Sequence, residues 1–236
     1  MFGHYNEDFS VSVQGVALTM DHASSPWTYS REGTCGSVKK IMTSSDDRII
    51  VTPVEPVNLP QRITPYLEIE FPTVVVNPGV RKTIYLTFPI EVGVFLERKG
   101  VFTNLDIFSF ARQKYSLYGT PTAGLITRWH RSAIFETVPY TEPFKEGILE
   151  LCLSNESPGV IEVSRGVFES YGMSIWYSSD RAAMKAEISI FSPTIAETSF
   201  SSEPCLGCNE RGIDLFRALK LPVIQQKSFL MEYGVI

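Results

Sequence analysis

Long hydrophobic runs are missing from this sequence: no stretch approaches the ~20 consecutive apolar residues that a membrane-spanning helix needs. Basic charge is scarce as well. Lys and Arg number 21 against 26 Asp and Glu, a net charge of −5. A chain without a basic excess is a poor partner for a phosphate backbone or an anionic membrane surface. Three histidines, His4, His22 and His130, argue against a multi-histidine metal site. Four cysteines, Cys35, Cys152, Cys205 and Cys208, are too few for a disulfide scaffold at this length, and a reducing compartment keeps them as thiols. The start, Met1-Phe2-Gly3-His4-Tyr5-Asn6-Glu7-Asp8, has no basic segment followed by an apolar run. No signal peptide is therefore expected, and the expected location is the cytoplasm. G-x-x-x-x-G-K-[ST], G-x-G-x-x-G after a strand, G-x-S-x-G and H-E-x-x-H are all absent.

What the sequence does hold is turn formers and aromatics: 16 Gly, 15 Pro, 15 Phe and 10 Tyr. Many short strands joined by turns are the expected result. Phe9-Ser10-Val11-Ser12-Val13 alternates strictly, and Gly15 breaks it. Tyr66 to Phe71 alternates too, placing Leu67, Ile69 and Phe71 inward and Glu68 and Glu70 outward. Asn77-Pro78-Gly79 is a turn, Thr83 to Phe88 is the clearest strand, and Pro89 should bend it or make it change partner. Pro53, Pro56 and Pro60 remove three N–H donors, so that stretch belongs on an edge or between sheets. Residues 136–146, with Pro139 and Pro143, are the best linker, and Asn209 to Leu219 is the one helix expected. Leu67 to Thr87 and Leu149 to Phe168 share a strand–turn–strand rhythm. The expected fold is mainly β, an antiparallel β-sandwich with at most one or two short helices. It is organised as two Ig-like lobes, 1–135 and 136–236, or as one continuous domain.

Few residues point to chemistry. Cys205-Leu206-Gly207-Cys208 is a C-x-x-C, a spacing at which two thiolates can hold one zinc or iron or form a redox couple. Further ligands must then come from Cys35, Cys152 or a histidine. No parallel βαβ pattern precedes the motif, and two thiols in a turn is the plainer reading. Arg128-Trp129-His130-Arg131 interleaves cations with an aromatic, which suits stacking a base, clamping an anion or, more simply, a strand end with a buried Trp129. Glu55, Asn58, Glu91, Lys114 and Tyr118 are polar residues inside apolar or proline-rich strands. An inward Glu91 needs a cation, and Lys114 or Arg128 can supply one. The result is either a structural ion pair or the floor of a polar ligand site.

Pro53 to Pro60, Ile84 to Phe95 and Lys114 to Gly119, with Gly124 to Trp129 and Met184-Lys185-Ala186, resemble an archaeal family of uncharacterised proteins, domain of unknown function 432. The resemblance spans most of the chain. It implies an archaeal, cytosolic setting and carries no catalytic or binding residues, and the C-x-x-C is not one of its features.

Three functions are therefore weighed. The first is a non-catalytic β-sandwich module for a protein partner, a second copy or a small ligand, without a cofactor. The second is an enzyme acting on a small polar or anionic substrate in a cleft of Glu55, Glu91, Lys114, Tyr118, Arg128 and His130, with Asn58 a further ligand-binding candidate. The third is a zinc site on Cys205 and Cys208.

Overall fold

Period-two alternation sets most of the strands, and turn residues set where they end. The computed structural model describes residues 2–6, 8–21, 27–42, 48–57, 63–220 and 228–236. Strand β1 (Gly3–Tyr5) precedes a meander of β2 (Phe9–Val13), β3 (Val16–Asp21), β4 (Trp27–Gly33) and β5 (Val38–Met42). Then come β6 (Arg48–Val54), β7 (Tyr66–Val76), β8 (Arg81–Pro89), β9 (Glu91–Arg98), β10 (Val101–Phe108), β11 (Tyr115–Tyr118) and β12 (Leu125–Arg131). The C-terminal part holds β13 (Glu146–Asn155), β14 (Ile161–Glu169), β15 (Trp176–Tyr177), β16 (Ala182–Ile190), β17 (Ala196–Ser201), β18 (Glu210–Arg211), helix α1 (Leu215–Ala218) and β19 (Ser228–Met231).

Among the described residues these strands form four sheets. The meander β2-β3-β4-β5 is one, opened by a two-residue turn in which Gln14 and Gly15 both have positive φ. The second runs β1-β6-β9-β10 and the third β11-β12-β7-β14. The fourth runs β18-β15-β16-β13-β8, with β17 and β19 continuing from β16. The protein is mainly antiparallel β, and two ladders, β12 with β7 and β13 with β16, are parallel.

Two strand–turn–strand units organise the centre. β7 and β8 are joined at residues 77–80 yet lie in different sheets, and so do β13 and β14. β7 pairs with β14 and β8 with β13, both antiparallel, so the units interlock. Val160 to Val163 therefore does not fold back on β13, as the turn before it suggests. It crosses to the opposite sheet and pairs with β7. Asn155, 1% exposed, ties the two turns together. Its side-chain amide donates to the carbonyls of Val76 and Gly159, and its backbone N–H donates to Val80. Between the sheets lies one apolar cluster that includes Leu67, Ile69, Leu86, Phe88, Leu151 and Val167. Each such side chain contributes roughly 1.5–3 kcal/mol of burial.

Pro89 does make the chain change partner: β8 pairs with β13, and two residues later β9 pairs with β6 and β10. Pro53 lies in β6 beyond the last residue paired with β1, on a side where no donor is needed. Residues 97–104, polar in composition, form the β9–β10 hairpin. One expectation fails. The helix expected over Asn209 to Leu219 is reduced to Leu215–Ala218, because β18 and an irregular stretch from Gly212 occupy its first half. A Cβ at Gly212 would sit 2.8 Å from the carbonyl oxygen of Pro53, so only glycine lets this segment lie flat on β6. Strands from both sides of residue 136 share two ladders. The 136–146 segment itself carries a buried Phe144, whose ring centroid lies 4.4 Å from that of Phe2.

Candidate functional site

β12 positions two of the polar candidates, Arg128 and His130, and its alternation decides their neighbours. Arg128 and His130 project to one face, Thr127 and Trp129 to the other. On the first face the Arg128 guanidinium meets Glu91 Oε1 at 2.5 Å, with both side chains 2% exposed. Arg128 Nη2 also donates to Ser109 Oγ at 3.3 Å. The cation that an inward Glu91 requires is thus Arg128. His130 Nε2 shares a 2.9 Å hydrogen bond with Thr87 Oγ1. Burial, and then the Arg128 charge, press the imidazole pKa down to about 4.

Glu55 follows Val54, the register partner of Glu91. It is 2% exposed, and its two oxygens accept the backbone N–H of Leu215 at 3.2 and 3.1 Å. Burial raises its pKa to about 8, with repulsion from Asp214 and Glu91 adding to the rise and backbone N–H groups opposing it. The crevice above it, bordered by Pro53, Met173, Ile175 and Gly212, has no space that a water molecule can occupy.

Tyr118 and Lys114 lie elsewhere. The buried Tyr118 hydroxyl donates to the Gly234 carbonyl at 3.0 Å and accepts the Tyr233 N–H at 3.1 Å, so it fastens the C-terminal segment. Lys114 is exposed, with its ammonium 5.2 Å from the centre of the Trp129 ring. Trp129 is half-buried and donates its indole N–H to Glu70 at 3.0 Å. Asn58 lies outside the described residues. The candidates thus divide: Glu55, Glu91, Arg128 and His130 gather on one side, Lys114 and Tyr118 on the other.

Two buried charge clusters lie outside the sequence-derived candidates. Glu68, which alternation assigns to the outside, is 4% exposed and accepts hydrogen bonds from Ser116 and Thr127, with Arg165 at 3.4 Å. Arg31 pairs with Asp106 at 2.6 Å, reaches the carbonyls of Cys35 and Gly36, and stacks over Phe108, while Tyr29 donates to Asp106. Inward polar residues at alternating positions were the available signal. Their ion-pair partners stand 75 and 97 residues away and cannot be read from spacing.

Cys205 and Cys208 close a two-residue turn with Leu206 and Gly207 at positive φ. Both thiols are buried against Ile148, Ala183, Tyr85 and Trp176. Desolvation, together with the neighbouring Cys208 and Glu150, pushes the Cys205 thiol up to about 12. Among the described residues no group of three His, Cys, Asp or Glu side chains is placed to hold a metal ion. Among the described residues the two thiols thus have no third ligand beside them, where a structural zinc site takes four.

Open space lies at two other places. A crevice of about 320 Å³ on the outer face of the largest sheet is lined by Thr83, Glu150, Cys152, Lys185, Glu187 and Ser199. Its charges are mutually engaged, Lys185 with Glu150 at 3.7 Å and Glu187 with Arg81 at 2.8 Å. A groove of about 480 Å³ runs between the β9–β10 turn and α1.

The family model described as "Protein of unknown function (DUF432)" matches residues 1–232. This chain belongs to the DUF432 family. No curated protein and no solved structure matches it. For this DUF432 chain no substrate or partner can be borrowed, and function has to be argued from the geometry above. Among the described residues, no helix is long and apolar enough to cross a membrane.

Proposed function

We propose that this protein is a non-catalytic binding module of the cytoplasm. One observation carries the reading: the polar residues that resemble a catalytic set are consumed in closed contacts. Arg128 and Glu91 are paired at 2% exposure, and Glu55 is engaged by Leu215 where no water fits. A substrate needs convergent polar groups around accessible space. Neither the crevice nor the groove described above is lined by Glu55, Glu91, Arg128 or His130. Four free thiols, two of them deeply buried, suit a reducing compartment.

Native mass spectrometry of the purified protein, compared with its denatured mass, tests the reading. A non-covalent adduct of small-molecule mass, retained in Arg128→Gln, is the expected result. A turnover activity in the wild type that disappears in a folded Arg128→Gln variant would overturn it.

A further inference from the structure

The groove beside α1 is built from two segments with separate anchors. Beneath it, Leu215 and Phe216 pack with Val54, Phe95 and Tyr171 in a small apolar cluster of their own. Glu55 holds the Leu215 N–H, and the Gly212 N–H donates to Ile175 at 2.8 Å. The wall is therefore held by Glu55, by the Ile175 carbonyl and by the apolar cluster beneath it. Its lining combines apolar Phe102, Ile213 and Ala218 with Arg211, Asp214 and Arg217.

The charges are out of balance. Arg211 Nη2 and Arg217 Nη1 address the same oxygen, Oδ2 of Asp214, at 3.4 and 3.5 Å. These are long contacts, and each guanidinium carries five N–H donors. Arg211, Asp214 and Arg217 all line the groove, and the side chains of the two arginines are 39% and 63% exposed while that of Asp214 is 11% exposed. Two cations against one carboxylate leave one unit uncompensated. In a chain of net charge −5, a basic rim over an apolar floor is a local exception.

We infer that this groove binds a small amphipathic carboxylate, its head held between Arg211 and Arg217 and its apolar body on Phe102, Ile213 and Ala218. The inference rests on the binding-module reading and gives it a ligand class. A guanidinium fork matches the planar carboxylate with two parallel N–H donors. One negative charge completes the balance, whereas a phosphomonoester brings about −1.5 to −2 at neutral pH and exceeds it. A volume of about 480 Å³ lies within the range that holds small ligands.

Calorimetric titration of the full chain with octanoate, octanol and octyl phosphate, in the wild type and in Arg211→Gln and Arg217→Gln, is the test. Arg217 is exposed enough for its variant to keep the fold, which circular dichroism checks. Octanoate is expected to bind more tightly than either analogue, to weaken about tenfold in each variant, and to weaken with added salt. Octanol binding as tightly as octanoate, tighter binding of octyl phosphate, or variants that bind octanoate unchanged would each overturn the inference. So would variants that only convert a dimer to a monomer in sedimentation, since the groove would then hold a second copy. If octanoate fails while native mass spectrometry still detects another small ligand, the groove assignment falls and the binding-module reading stands.

Discussion

Glu55 accepts the backbone N–H of Leu215 with both carboxylate oxygens, at 3.2 and 3.1 Å, joining residues 160 positions apart. The contact fixes where α1 begins, because Asp214 at the helix start makes no side-chain cap. It also places a carboxyl group where the charged form is costly.

Burial holds the Glu55 pKa at about 8 in the folded protein, above the usual 4.5. Between those values the folded state keeps a proton that the unfolded chain releases, so stability falls as pH rises from about 4.5 to 8. The slope from this group is at most roughly 1.4 kcal/mol per pH unit. Glu55→Gln keeps an acceptor for Leu215 and removes the ionisation. In urea titrations from pH 5 to 9, the variant is expected to gain on the wild type as pH rises. Parallel curves would contradict this.

His130 works in the opposite direction. Its folded pKa of about 4 lies below the usual 6.5. The unfolded chain therefore takes up a proton first, and stability is lost as pH falls from about 6.5 to 4. The imidazole proton signals in NMR should show no titration of His130 above pH 5. Between pH 6.5 and 4.5 the His130 and Glu55 slopes offset each other.

Removing one partner of the Arg128–Glu91 pair leaves the other charge in the interior. Arg128→Met is expected to lose about 3–5 kcal/mol of unfolding free energy. The double variant Arg128→Met, Glu91→Leu should recover much of that loss, because neither charge is then buried. Equal losses in the single and double variants would show that the pair is not the source.

Cys205 and Cys208 are 5% and 0% exposed, with raised thiol pKa values, whereas Cys35 and Cys152 are half-buried. Timed alkylation of the native protein, read by peptide mass spectrometry, should modify Cys152 and Cys35 well before the C-x-x-C pair. A chelator should leave the melting temperature unchanged. A drop of several degrees would return a metal to Cys205 and Cys208.

Local rules carried much of the fold. Alternation marked Phe9 to Val13 and Tyr66 to Phe71, and Pro89 marked the change of sheet, because each effect acts within a few residues. The β9–β10 hairpin escaped because Arg98, Lys99 and Gly100 mask the apolar Val101, Leu105 and Ile107. The helix at Asn209 was over-read because the requirement at Gly212 comes from Pro53, far away in sequence. Of the candidate site, the Glu91–Arg128 pairing was legible from the need of an inward carboxylate for a cation. The gathering of Glu55 and His130 near it depends on β6 and β12 meeting β9 and β8. The basic groove was invisible because Phe102 and Arg217 come together only through tertiary packing.

The interlocked strand–turn–strand units also bear on how the chain tolerates cutting. Each supplies one strand to either side of the central sandwich, and Asn155 bolts their turns together. A protease that nicks the loop between residues 136 and 145 should therefore release nothing. The fragments would remain clasped and co-migrate as one particle, and two separately expressed pieces divided there should restore the fold only on mixing.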